Sequence, residues 1–118
     1  MDSQQLLYGE TTWEEIGLSA ANTAQDVTHA ASTAGIRHVL TGLTISFDGE
    51  PAAAVLVEIK DGASVRDAFY LPAAKQVPFV IEYRHKLRTT PNVALTVTVA
   101  AAGAGIKSKV SMRGFSGR

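Results

Sequence analysis

Cysteine is absent from the 118 residues, which excludes disulfides and thiolate-metal centres as supports and fits a reducing cytoplasm or assembly there. Long apolar runs are missing too, and no stretch approaches the roughly 20 residues that a membrane helix needs. The opening MDSQQLLYGE has neither the basic n-region nor the apolar h-region of a cleaved signal. Neither a membrane partner nor an export signal is expected. The formal net charge is zero, so nothing draws the whole molecule toward nucleic acid, and no nucleic-acid partner is expected.

Chemistry-bearing residues are sparse. The three histidines, His29, His38 and His85, are scattered singly, with no HExxH pattern around them. By strand parity His38 points away from the predicted core and His85 toward it, near a strand end. A triad drawn from His29, Asp67 and a serine lacks the G-x-S-x-G nucleophile turn. Glu14 and Glu15 are sequence neighbours and so lie on opposite faces of a strand, a poor arrangement for acid–base work. The glycines sit at turns such as Asp48-Gly49 and Asp61-Gly62, and none opens a helix in a phosphate-cradling pattern. No catalytic residue, cofactor or metal ligand is predicted, and the chain is expected not to be an enzyme.

What is present is a period of two, the signature of strands half-buried on one face. Val39, Leu43, Ile45 and Phe47 share one parity, and Asp48-Gly49 with Pro51 ends the run. Ala53, Val55, Val57 and Ile59 alternate with Glu58 and Lys60 before Asp61-Gly62, and a shorter run from Val65 to Leu71 follows. Val77, Phe79, Ile81, Tyr83 and Leu87 oppose Glu82, Arg84 and Lys86; Val93, Leu95, Val97 and Val99 oppose threonines and alanines; Val110 and Met112 close the series. Weaker strands are read at Thr12–Leu18 and Ala24–Ala31, an Ala-rich helix over 19–34 being disfavoured by its threonines and valine. The spacing predicts an all-β fold, a single antiparallel sandwich of jelly-roll type with about seven or eight strands, a small barrel being its rival. At this length a chain buries roughly two-thirds of its unfolded surface, enough for one core. The core is predicted at the odd positions from Val39 to Val99, with residues 12–118 as the domain and 1–11 as an N-terminal arm.

The arm carries Leu6, Leu7 and Tyr8 in a polar setting, apolar side chains that call for cover. Charge is divided along the chain: residues 1–48 hold six carboxylates against Arg37 alone, whereas 49–118 hold ten Lys/Arg against five Asp/Glu. Such asymmetry can draw an acidic arm onto a basic face, in the same molecule or a neighbour. Arg84, Lys86 and Arg88 share the outer parity of one strand, and Lys107, Lys109 and Arg113 repeat the theme on the last. Were those strands neighbours they would form one basic face, read as a protein-contact surface or as lysines that blunt edge pairing.

The stretches GIRHVLTGLTISFDGEPAAAVLVEIKDG, VPFVIEYRHKLRTTPNVALTVTVAAAGAG and SKVSMRGF resemble the small β-sandwich structural proteins of tailed phages and prophages, of the capsid decoration (cement) type. The resemblance spans roughly residues 33–118 and rests on turns and core positions. It implies a bacteriophage virion protein on the capsid surface, assembled in the host cytoplasm, a homotrimer whose partner is the major capsid protein. Leu6, Leu7, Tyr8 and Trp13 are the candidate subunit or capsid contacts. The rival reading is a carbohydrate- or receptor-binding module of a fibre or spike, for which Trp13 and Tyr70 are the aromatic candidates.

Overall fold

A computed structural model describes residues 11–73 and 78–117, with the strand course but not the side chains at 84–86. These residues form β1 (Thr11–Leu18), β2 (Gln25–His29), β3 (Arg37–Phe47), β4 (Val55–Asp61), β5 (Ser64–Leu71), β6 (Phe79–Arg88), β7 (Leu95–Val99) and β8 (Ser108–Gly117), with no helix among them. The strands lie in two four-stranded antiparallel sheets, ordered β1-β8-β3-β6 and β2-β7-β4-β5. First pairs with last, second with seventh, third with sixth and fourth with fifth. This is one long hairpin rolled onto itself, the jelly roll that the strand spacing predicted.

Alternation decides which face of each strand is buried. In β4 the inward residues Val55, Val57, Ile59 and Asp61 alternate with Leu56, Glu58 and Lys60. In β7 Leu95, Val97 and Val99 are all buried, and in β8 Val110 and Met112 are. Leu43, Ile45, Val57, Ile59, Leu95, Val97, Val110 and Met112 interlock between the sheets. Each such side chain contributes about 1.5–3 kcal/mol by leaving water. The odd-numbered core is therefore present from Leu43 onward.

Its first turn differs. The register of β3 shifts between Leu40 and Gly42 against both of its neighbours, a bulge at Thr41. A bulge changes which parity faces the core. Before it the even residues His38 and Leu40 point inward and are fully buried, so His38 faces the interior and not solvent as the plain alternation predicted. Val39, though covered, stands outside the core cluster. The side chain of His85 lies outside the described residues.

The loops are fixed by side chains that bond backbone. Asn92 adopts the left-handed conformation (φ 65°), its Oδ1 accepts from the Gly35 amide at 3.0 Å, and its own amide donates to the Ile36 carbonyl at 2.9 Å. Asp61, 6% exposed at the end of β4, accepts from the Thr90 amide and hydroxyl (2.8 Å to the latter) and from Arg66 Nη1 at 3.3 Å. The carboxylate thereby joins the β4–β5 hairpin to the loop after β6. The hairpin itself turns at Gly62, whose φ of 61° suits a residue without Cβ.

Candidate interaction face

The outer face of the β1-β8-β3-β6 sheet can be read row by row from its register. Thr12, Phe115, Val39 and Arg88 form the first row. Glu14, Arg113, Gly42 and Glu82 form the second; Ile16, Ser111, Thr44 and Val80 the third; Leu18, Lys109 and Ser46 the fourth. Three apolar side chains stand out of this face: Ile16 at 57%, Leu18 at 74% and Val80 at 56% exposure. Between them the middle strands present small hydroxyl residues, so the apolar groups flank a shallow polar trough.

Arg113 lies flat over this trough because Gly42 lets it. A Cβ built on Gly42 would sit 2.7 Å from Arg113 Nε. Arg113 Nη1 donates to Thr44 Oγ1 at 3.3 Å, and its carbonyl accepts from the Thr41 hydroxyl at 3.1 Å. Glu14 and Glu82 occupy the positions on either side of it in the row. At the β1–β8–β3 end the trough opens into a groove of about 390 Å³ lined by Leu18, Ser46, Phe47, Lys107, Ser108 and Lys109, among others. Its wall is braced: Gln25 Nε2 donates to Ser108 Oγ at 2.7 Å, the Ser108 amide to Ser19 Oγ at 2.8 Å, and the Lys107 amide to Asp48 Oδ1 at 2.7 Å.

Of the predicted basic residues, Lys109 and Arg113 lie on the outer side of β8, Lys107 immediately before it, and Arg88 at the end of β6. β6 and β8 are not neighbours, since β3 runs between them. The cations therefore share one face but are interleaved with Glu14 and Glu82. The side chains of Arg84 and Lys86 lie outside the described residues, as do Leu6, Leu7 and Tyr8. Trp13 is placed on the inner side of β1, packed against the core.

There it meets a cluster that the sequence analysis did not assemble. Trp13 stacks on His29, with ring centroids 4.2 Å apart and planes 11° from parallel, and His29 meets His38 edge-on at 4.4 Å. His29 Nδ1 donates to Glu15 Oε2 at 2.8 Å, tying β1 to β2 across the two sheets. His38 Nε2 is 2.7 Å from the Ala30 carbonyl and Nδ1 2.6 Å from Ser116 Oγ. A carbonyl can only accept, so Nε2 carries the proton and Nδ1 receives the Ser116 hydroxyl. Burial lowers the His38 pKa from its usual 6.5, the Ala30 bond opposes that, and His29 adds to it. A cavity of about 240 Å³ beside the rings is lined by Thr11, Trp13, His29, Ser32, Ile36 and Ser116, and Trp13 Nε1 is buried with no partner.

The Ser116–His38 contact has the atoms of an activated nucleophile but the setting of a core hydrogen bond. His38 is fully buried and Ser116 is 9% exposed, in the middle of a sheet paired on both sides. The paper triad does not form either. Asp67 lies on β5, at the edge of its sheet opposite His29 on β2, and accepts from Tyr83 Oη at 3.3 Å. Among the described residues no group of three or more His, Asp or Glu side chains is arranged to hold a metal ion. The signal for the inward turn of His38 was Gly42, since a glycine inside a strand marks a bulge.

No family model and no curated protein matches the chain. Among solved structures it is similar to the PRD1 vertex protein P5, at 13% identity and a TM-score of 0.50, over 87% of this chain and 95% of that one. It is also similar to PirA, at 10% identity and a TM-score of 0.45 over 89% and 92% of the two chains. A chain of the cyanophage Pam1 capsid asymmetric unit is similar at 16% identity and a TM-score of 0.44, over 93% and 86%. The likeness to the vertex protein bears on the fold; the other two scores are too low to carry an argument. The chain is an all-β protein, an antiparallel sandwich of jelly-roll topology.

Proposed function

We propose that this chain is a non-enzymatic structural protein of a virion, a capsid decoration (cement) protein that sits on the outer capsid surface as a homotrimer. The observation that carries the reading is the outer face of the β1-β8-β3-β6 sheet. Ile16, Leu18 and Val80 stand exposed there beside a row that carries Glu14, Arg113 and Glu82, and exposed apolar groups next to charge mark contact surfaces. The fold shared with the PRD1 vertex protein P5 supports a virion setting by analogy. The major capsid protein is the proposed partner, with Leu6, Leu7, Tyr8 and β1 as subunit or capsid contact elements. Trp13 acts in this scheme by anchoring β1 from within. Arg88, Lys107, Lys109 and Arg113 supply the charged part of the same surface.

Copurification with capsids at a fixed stoichiometry is the expected result, and its loss on removing residues 1–10 is the companion result. A truncated chain that still decorates capsids normally would sink the role of the arm, and a full chain that never associates with them would sink the reading. A fibre or spike module that binds carbohydrate has one observation in its favour, Tyr70 at 68% exposure on the outer side of β5. Binding to a glycan array that a Tyr70→Ala variant loses would favour it instead.

A further inference from the structure

We propose that the groove at the β1–β8–β3 end receives the Leu6-Leu7-Tyr8 segment of a neighbouring copy of this chain. The inference rests on the assembly reading and names what fills this part of its surface.

The groove's chemistry fits that segment. Leu18, 74% exposed, and Phe47 give the groove apolar lining, and Lys107 and Lys109 line it as well. Residues 1–10 contain the three apolar side chains bracketed by Asp2 and Glu10, with no Lys or Arg among them. Apolar burial would hold the segment, and the lysines would favour an acidic strand over a basic one. The braced wall, with Ser19, Gln25 and Asp48 spent on internal bonds to Ser108 and Lys107, presents this groove ready formed.

Geometry makes the occupant a neighbour's. Thr11 pairs with Ser116 at one end of the sheet and Leu18 with Lys109 at the other. At ~3.3 Å per residue the seven steps from Thr11 to Leu18 cover on the order of 23 Å. Leu6 to Tyr8 precede Thr11 by three to five residues, a reach of ~17 Å at most when extended, and a reversal of the chain would shorten it. A chain's own triplet therefore falls short of its own groove, whereas a neighbour brought up by rotational symmetry can deliver one.

The absence of cysteine makes a clean test available. A Leu7→Cys protein is mixed with a Ser46→Cys protein and treated with a short bismaleimide linker, and the same is done with a Thr96→Cys protein, whose cysteine lies on the outer side of the other sheet. Covalent heterodimers between the Leu7 and Ser46 variants, several-fold above the Thr96 pair, are expected. Lys107→Glu with Lys109→Glu should lower that yield several-fold, and Asp2→Lys with Glu10→Lys should restore it. Equal yields at Ser46 and Thr96, no linkage, or a yield unmoved by charge reversal would overturn the proposal. So would preferential internal linkage at high dilution in a chain carrying both Leu7→Cys and Ser46→Cys. Capsid binding is scored separately: decoration without the Leu7–Ser46 linkage retains the assembly reading and removes this one.

Discussion

His38 is held neutral by its surroundings, with one ring nitrogen donating to the Ala30 carbonyl and the other accepting from Ser116. Its pKa in the fold lies below the 6.5 of an unfolded chain, chiefly through burial. Between those two values the unfolded state binds the extra proton, so the stability His38 contributes is complete above about pH 6.5 and is lost as pH falls below it. Urea midpoints compared at pH 7.5 and 5.5 should show this decline, and a His38→Gln variant, whose amide does not titrate, should show a flatter profile. Two glycines give a contrast at the same scale. An added Cβ at Gly42 meets the far end of a flexible arginine, so Gly42→Ala should cost under about 1 kcal/mol while lifting Arg113 from the sheet. At Gly114 it meets the Val39 carbonyl and, at 2.8 Å, Trp13 Cζ2, neither of which can move freely. Gly114→Ala should cost about 3 kcal/mol in a denaturation series.

Among the elements, β1 has the most divided faces. Its inner side carries Trp13 and Glu15, which hold it to β2 and the core, and its outer side carries Glu14, Ile16 and Leu18. Leu18→Lys removes apolar area that is already in water, so the melting temperature should stay close to that of the parent, within about 0.5 kcal/mol in free energy. Self-assembly and capsid binding should nonetheless fall, as sedimentation would show; unchanged sedimentation would remove Leu18 from the contact surface. The β4–β5 hairpin depends on one carboxylate. Asp61→Ala removes the buried acceptor of the Thr90 amide and hydroxyl and should cost about 2 kcal/mol, read by urea unfolding. Most strands were legible from period two, because each is buried on one face and wet on the other. β3 was legible only after Gly42: the bulge at Thr41 is a local change of register, and a pattern that assumes constant alternation turns His38 outward.

At the scale of the molecule, pairing the first strand with the last and the second with the seventh makes nearly every sheet contact distant in sequence. Loop closure must precede these contacts, so folding should be slow for a small domain, on the millisecond-to-second scale, by stopped-flow fluorescence of Trp13. The described strands close the sandwich without residues 1–10, so removing that segment should leave the unfolding midpoint of the dilute, unassociated chain unchanged and lower only the part of the stability that rises with protein concentration.

Residue order by itself determined the all-β class, the strand positions, the core from Leu43 to Val99 and the absence of a motif for catalysis. Those properties follow from local alternation and turn chemistry, which act over a few residues. Only the tertiary structure decided the rest. It placed β3 between β6 and β8, so that the basic residues are interleaved with Glu14 and Glu82. It also gathered Trp13, Glu15, His29, His38 and Ser116 from four strands into one cluster. Such neighbours are set by how the hairpin rolls up, a long-range packing choice that no short window of sequence contains.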